Sequence, residues 1–245
     1  MAHDRVGIVW PEAVQAGHLA ELELFVPPGL ELDIEPVDST PPLGDDGITL
    51  EHVEGIARVP GIGRAAKRLA QRGAQAVAYG CTSGSYVLGT EGDAAIAAGM
   101  RTASGVPSTT TSTAAAAALR ELGVQRIAVL SPHVDALNER LRAYLEASGF
   151  AVVNMVGLNR RGDIEAVEPD ETRDLVAAGV DTPEAEAVFI SCTGLRTAAV
   201  IEDLEAALKK PVVTANQATL WHVAELAGAP AATLGRGRLF AALAG

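Results

Sequence analysis

The stretch VAYGCTSGS, residues 77–85, ends an apolar run at Gly80 and places Cys81 directly before a small polar turn. The same pattern returns in AVFISCTGL, residues 187–195, which holds Cys192, the second of the chain's two cysteines. Short apolar runs bounded by small polar residues are typical of buried strands. Each cysteine is therefore predicted to lie where a buried strand ends.

The rest of the chain alternates short β-branched runs with alanine-rich helical patterns. Glycine follows the helical patterns at Arg64–Arg72 and Ser112–Leu122, as expected where helices end. This alternation predicts an α/β fold with a mainly parallel sheet covered by helices on both faces. The predicted strands are Val6–Trp10, Leu30–Val37, Ala76–Tyr79, Arg126–Leu130, Ala151–Val156, Ala187–Ile190 and Pro211–Thr214.

Three sequence landmarks occur twice in the same order, which indicates two related α/β halves. The matching pairs are RVGIVWP (5–11) with RIAVLSP (126–132), AVAYGCT (76–82) with AVFISCT (187–193), and GVPSTTTS (105–112) with KKPVVTAN (209–216). We predict a first half of residues 1–115 and a second half of residues 116–245, and leave a chain crossover near the C-terminus open. Because ligands of open parallel sheets bind beyond the carboxyl ends of the strands, we expect both cysteines to face one cleft.

Composition and charge exclude several classes of protein. The 245 residues are 48% hydrophobic and 20% charged, which is typical of a globular chain. The net charge of −12 argues against nucleic-acid binding. The N-terminal residues lack a secretory apolar segment, and no stretch is long and apolar enough to span a membrane. We therefore expect a cytoplasmic protein whose cysteines are thiols.

The cysteine turns suggest thiol chemistry on a carboxylate. A cysteine that follows a strand and precedes a helix lies near free backbone N–H groups, which lower the thiol pKa. Thr82, Ser83, Thr193 and Gly194 supply hydroxyl and amide donors for a carboxylate. Two such thiols can form a base–acid pair, or one can attack carbon, without a cofactor. The alternative is that both cysteines are small buried hydrophobic residues, but their repeated placement favours a site.

Other motifs carry less information. GIGRAA, residues 61–66, lacks the third glycine of a dinucleotide fingerprint and is interpreted as a helix start. No CxxC, HExxH or Walker lysine motif occurs, so no metal or nucleotide is predicted. His133, at the end of a predicted strand, is either a loop residue or a ligand contact, and His222 is interpreted as structural.

Five segments resemble the Asp/Glu racemase superfamily, and more closely its branch of maleate cis-trans isomerases and arylmalonate decarboxylases. They are YGCTSGS (79–85), GVPSTTTSTA (105–114), VDALNERLRAYL (134–145), SCTGLRT (191–197) and GRGRLF (235–240). The resemblance covers nearly the whole chain. It implies two Rossmann-like, pseudo-symmetric halves with a cofactor-independent site between them.

The resemblance also implies roles for single residues. In the isomerases, the cysteine matching Cys81 attacks an alkene carbon of maleate, and the cysteine matching Cys192 handles a proton. In the decarboxylases a glycine stands at the position of Cys81, so its presence here favours isomerase or racemase chemistry. The turns containing Thr82 and Thr193 match the carboxylate-binding turns of both groups.

This chain departs from the isomerase pattern at three places. The loop PEAV, residues 11–14, matches a substrate-binding loop, so Pro11 is a predicted substrate contact, while Val14 stands where the isomerases carry asparagine. His133 replaces a tyrosine and is a predicted substrate contact, and Asp163 is the nearest match to a second asparagine. These changes remove hydrogen-bond donors to a dicarboxylate.

The sequence thus predicts an isomerase, most similar to maleate isomerase, that acts on a small carboxylate or dicarboxylate through Cys81 and Cys192. The alternatives are a racemase or decarboxylase that uses the same site, and a carboxylate-binding protein without catalysis. No nucleic-acid or membrane partner is expected, and a homo-oligomer is left open.

Overall fold

Two separate four-stranded sheets organise the molecule. A computed structural model describes residues 4–11, 16–37, 42–58, 60–229 and 236–241. The strands are β1 (Asp4–Trp10), β2 (Leu30–Pro36), β3 (Ala76–Tyr79), β4 (Ser108–Thr110), β5 (Arg126–Ser131), β6 (Ala151–Gly157), β7 (Ala187–Ile190) and β8 (Val212–Thr214). The α-helices are α1 (Ala16–Glu23), α2 (Leu50–Ala57), α3 (Gly61–Gln71), α4 (Thr82–Tyr86), α5 (Gly89–Ser104), α6 (Thr111–Glu121), α7 (Asp135–Ala147), α8 (Pro169–Leu175), α9 (Ile201–Leu208), α10 (Ala215–Leu226) and α11 (Arg238–Ala241).

The two sheets have the same topology. Their strand orders are β2-β1-β3-β4 and β6-β5-β7-β8, and neighbouring strands are parallel throughout. The three repeated landmarks coincide with the equivalent pairs β1 and β5, β3 and β7, and β4 and β8. The predicted fold of two pseudo-symmetric α/β halves is therefore confirmed.

The strand predictions are confirmed with one omission. All the predicted strands are present, but β4 was not predicted, because its residues Ser108–Thr110 contain no apolar side chain. Its place is set by pairing with β3, where Val77 faces Ser108 and Tyr79 faces Thr110. The segment GIGRAA begins α3, as interpreted from the sequence.

The central strands β3 and β7 are buried along their whole length, as expected in a parallel sheet covered on both faces. Gly80, which follows β3, is required by close packing. A Cβ atom there would lie 2.6 Å from Cγ2 of Ile8 and 2.8 Å from the ring of Trp10. The close approach fixes the direction in which the chain enters the turn of Cys81.

Helix α10 follows the last strand of the second sheet but packs against the first. It contacts α6 along its length and also contacts β3 and β4. The Thr219 hydroxyl donates to Oγ1 of Thr111 at 3.0 Å, and Nδ1 of His222 lies 3.0 Å from Oγ1 of Thr109. Through α10, the second half of the chain covers part of the first sheet.

Within the described ranges, no helix combines the length and apolar character needed to cross a membrane.

Candidate active site

The turn after β3 places Cys81 at the start of α4. The backbone N–H of Gly84 donates to its Sγ atom at 3.3 Å, and the side chain is buried. Ser85 anchors the turn, because its hydroxyl lies 2.8 Å from the carbonyl oxygen of Cys81 and 2.7 Å from Oγ of Ser112. The helix start predicted after Cys81 is confirmed.

The turn after β7 differs from its counterpart. Cys192 adopts the left-handed backbone conformation, with φ of 93°, and no helix begins until Ile201. Its Sγ atom accepts the N–H of Gly194 at 3.4 Å. The expectation that a helix start lowers the pKa of both thiols is therefore wrong for Cys192, because the chain after it turns away from helical geometry.

Burial raises the pKa of the Cys192 thiol from 9.0 to about 12. The N–H of Gly194 opposes this increase, while negative charge at Cys81 and Glu165 adds to it. Cys192 therefore remains protonated at neutral pH and can supply a proton.

Both cysteines line one cavity of about 310 Å³. The predicted substrate contacts line it too, namely Pro11, Thr82, Ser83, His133, Thr193 and Gly194. A direct hydrogen bond joins the two cysteine turns, since the hydroxyl of Thr193 donates to the carbonyl oxygen of Gly80 at 3.2 Å. The structure brings together every residue that the sequence singled out for the site, apart from Val14, which lies outside the described residues.

Several polar atoms of residues that line the cavity are buried without a hydrogen-bond partner in the described part of the chain. They are Oγ1 of Thr82, Nε1 of Trp10 and both ring nitrogens of His18 and of His133. Buried polar groups are normally paired, so these atoms are suited to meet a ligand or water. The lining residues can therefore form hydrogen bonds with a polar group of a ligand.

His133 is buried, with only 2% of its surface exposed. Burial lowers the pKa of its imidazole from 6.5 to about 4, so the ring is neutral at pH 7. Its backbone is held on both sides, because its N–H donates to Oγ of Ser131 at 3.3 Å and its carbonyl accepts from Asn138 at 2.9 Å. A neutral imidazole offers one donor and one acceptor to a ligand.

Sequence reasoning missed the apolar walls of the cavity and three polar residues. The apolar side chains are Trp10, Leu43, Ile48, Val53, Ile56 and Ile164, and the missed polar ones are His18, His52 and Glu165. Most of them belong to the segments that follow β2 and β6, outside the repeated landmarks, so no motif marks them. Asp163, noted only as a substitution, also lines the cavity.

The two wall segments meet directly. The N–H of Ile48, between β2 and α2, donates to the carbonyl oxygen of Arg161 at 2.7 Å. The neighbouring Gly47 has φ of 70°, and a Cβ atom there would lie 2.2 Å from that carbonyl oxygen. Only glycine allows the walls to approach this closely.

Among the residues that the structure describes, no group of three or more His, Cys, Asp or Glu side chains is arranged to hold a metal ion.

The chain is similar to known proteins in both sequence and fold. The arylmalonate decarboxylase family profile matches residues 45–240. The chain is 36% identical to arylmalonate decarboxylase of Bordetella bronchiseptica over 180 residues, covering 71% of this chain and 75% of that one. It is 32% identical to maleate isomerase of Nocardia farcinica over 123 residues, 49% of each chain.

A solved structure shares the whole fold. It is a liganded variant of arylmalonate decarboxylase in which a glycine is replaced by cysteine and a cysteine by serine. The TM-score is 0.83 at 31% identity, with 97% of this chain and 98% of the other covered. On its sequence and its fold, this chain belongs to the arylmalonate decarboxylase family.

Proposed function

We propose that this enzyme isomerises a small carboxylic acid, with Cys81 as the reacting thiolate and Cys192 as the proton donor. The observation that carries the proposal is that both thiols, far apart in the sequence, line one cavity. Packing alone does not require two cysteines at equivalent strand ends beside unpartnered donors. A reaction that uses both sulfur atoms accounts for this arrangement.

Thr82 and His133 are suited to bind the carboxylate. The Thr82 hydroxyl and a ring N–H of neutral His133 are buried donors without a partner in the described chain. A hydrogen bond to a charged group contributes about 1.5–3 kcal/mol, so these two donors can hold and orient one carboxylate. No protonation of His133 is needed.

The two thiols are suited to different roles. The high pKa of Cys192 keeps its proton available for transfer to carbon. At Cys81, the N–H of Gly84 points at sulfur and stabilises negative charge there. Cys192 accepts a similar bond from Gly194, but only Cys81 lies at the start of a helix, and this difference supports Cys81 as base or nucleophile and Cys192 as acid.

Two isomerisations fit this pair of groups. In the first, the Cys81 thiolate adds to an alkene carbon, the alkene electron pair moves into the carboxylate to form an enediolate, and the Cys192 thiol stabilises that enediolate by donating a hydrogen bond to it. Rotation about the new single bond and loss of the thiolate then restore the alkene with opposite geometry. In the second, Cys81 removes the hydrogen from the α-carbon and Cys192 delivers its proton to the other face, which inverts the centre. The apolar walls favour a substrate with an apolar substituent.

Decarboxylation is the second candidate function, and the match to the decarboxylase family profile favours it. Loss of carbon dioxide leaves the bonding electron pair on the α-carbon, and Cys192 protonates that carbon. This reaction does not require Cys81. The cysteine variants therefore separate the two candidates.

The test compares the wild type with Cys81→Ala and Cys192→Ala on maleate, phenylmalonate and 2-phenylpropionate, followed by proton NMR in deuterated water. Isomerisation should fall by about 100- to 10,000-fold in both variants. Deuterium incorporated at the α-carbon identifies racemisation, and cis-trans isomerisation without deuterium incorporation identifies addition and elimination. Full isomerase activity in Cys81→Ala would refute the proposal, whereas phenylmalonate decarboxylation that needs only Cys192 would establish the second candidate.

A further inference from the structure

We propose that Asp163 and Glu165 form an acidic rim that makes this enzyme select carboxylic acids with one negative charge over dicarboxylates. The inference concerns the substrate class and rests on the proposed function. It also bears on the prediction from the sequence, because maleate carries two negative charges.

The position of the rim is fixed by the residue between its two members. Asp163 and Glu165 are exposed and flank Ile164, which is buried. A Cβ atom on Gly194 would lie 3.2 Å from Cγ2 of Ile164, so Ile164 packs against the Cys192 turn. Both carboxylates line the cavity that holds the cysteines.

No cationic side chain compensates the rim within the described part of the cavity lining, which contains neither lysine nor arginine. Asp163 and Glu165 also form no ion pair with the described residues. Arg160, close to the rim in sequence, is paired with Glu171 at 3.4 Å, and Arg196, close in sequence to Cys192, is paired with Glu168 at 2.9 Å.

A shallow pocket adjoins the cavity at Leu43 and Gly162. Its charged lining residues are Asp45, Asp46 and Arg161, so two acidic groups there outnumber one basic group. The approach to the cysteines is therefore negative over a wider surface than the rim alone.

The interior of the cavity has donors for one carboxylate. Thr82 and His133 line the cavity, are more than nine-tenths buried, and carry polar atoms without a partner among the described residues. They bind through hydrogen bonds without positive charge, because burial keeps His133 neutral. One carboxylate is satisfied by these donors, whereas a second one near the rim meets two like charges.

The field of the rim reaches the reacting atoms. Negative charge at Glu165 is among the causes that raise the pKa of Cys192. A charge that acts on this sulfur also acts on a substrate bound beside it.

The test measures alkylation of Cys81 by iodoacetate, an anion, and by iodoacetamide, a neutral molecule of similar size. Both reagents attack the same thiolate, so the ratio of their rates cancels any change in the thiolate population. In the double variant Asp163→Asn and Glu165→Gln, the iodoacetate to iodoacetamide ratio should rise about three- to tenfold at about 0.01 M salt. The difference in this ratio between the wild type and the double variant should largely vanish at about 1 M salt, where charges are screened.

A matched control removes the same number of charges elsewhere. Glu121 and Glu225 are exposed and lie near the ends of α6 and α10, outside the cavity lining. Glu121→Gln with Glu225→Gln should leave the ratio unchanged. Asparagine tolerates the left-handed backbone of residue 163, where φ is 50°, so the rim variant should fold normally.

Turnover gives a second readout. In the rim variant, kcat/KM for a dicarboxylate should rise relative to kcat/KM for a monocarboxylate by a similar factor. An unchanged labelling ratio in the rim variant, or an equal rise in the control variant, would refute the proposed role of the rim. If the labelling ratio rises in the rim variant but the enzyme turns over no carboxylate, the role of the rim is supported and the proposed function is refuted. The two failures are therefore distinguishable.

Discussion

His133 is a neutral imidazole in a buried position, and this has a measurable effect on stability. In the unfolded chain a histidine takes up a proton near pH 6.5, whereas in the folded chain His133 does so only near pH 4. Acid therefore favours unfolding between these two values. At the level of one residue, stability should fall as the pH falls through this window.

We predict that His133→Gln removes this pH dependence. Between pH 7 and about pH 4.5 the wild type should lose about 2.5 kcal/mol more of its free energy of unfolding than the variant, because the variant has no imidazole at this position to titrate. Urea unfolding at the two pH values measures the difference. Equal losses in both proteins would show that burial does not perturb this imidazole.

The residues of the site were predictable to different degrees. Cys81 and Cys192 could be found because a repeated motif marks them, and His133 because it follows a landmark. His18 and His52 could not, because each lies in a segment outside the repeated landmarks, where no motif marks it. The pKa of Cys192 was also beyond prediction, since it depends on burial and on a backbone turn that the motif does not encode.

At the level of elements, the segments after β2 and β6 build the walls of the cavity. Their junction is the hydrogen bond from Ile48 to Arg161, beside which Gly47 leaves no room for a side chain. The sequence predicted the strands from their apolar runs, but not these walls. Their structure depends on contact between the halves, which local patterns do not report.

We predict that Gly47→Ala separates the walls and weakens substrate binding. The added methyl group would collide with the carbonyl oxygen of Arg161, and the positive φ disfavours alanine, so the free energy of unfolding should fall by about 1–3 kcal/mol. KM should rise while the thiols remain in place. Urea unfolding and steady-state kinetics measure the two effects.

Gly44→Ala is the matched control for this prediction. Gly44 lies on the same segment, its φ is outside the positive range, and nothing lies within 4 Å of an added Cβ atom. It should leave KM and stability nearly unchanged. If both variants behave alike, the junction does not hold the walls together.

At the level of the whole molecule, α10 links the two sheets. The contacts of Thr219 with Thr111 and of His222 with Thr109 connect the second half of the chain to elements of the first. The first sheet therefore depends on a helix of the second half for part of its cover. The repeat predicted two halves, but the packing of α10 across them was left open because periodicity does not show which sheet a helix covers.

We predict that the two sheets unfold in one transition. Trp10 lies on β1 and Trp221 on α10, and both are buried, so Trp10 reports on the first sheet and Trp221 on the helix that links the halves, while circular dichroism reports on both halves together. In the single-tryptophan variants Trp221→Phe and Trp10→Phe, the urea transition followed by fluorescence and that followed by circular dichroism should share one midpoint. Separate midpoints in either variant would show that the halves unfold independently.

The left-handed backbone at Cys192 bears on how this protein would change under laboratory evolution. A side chain in that conformation costs of the order of 1–3 kcal/mol, which glycine would avoid. A population selected for heat resistance alone would gain by exchanging this cysteine for glycine, and would give up its chemistry in doing so. Mutants recovered without a screen for turnover should therefore be enriched in inactive, more heat-resistant proteins altered at this position.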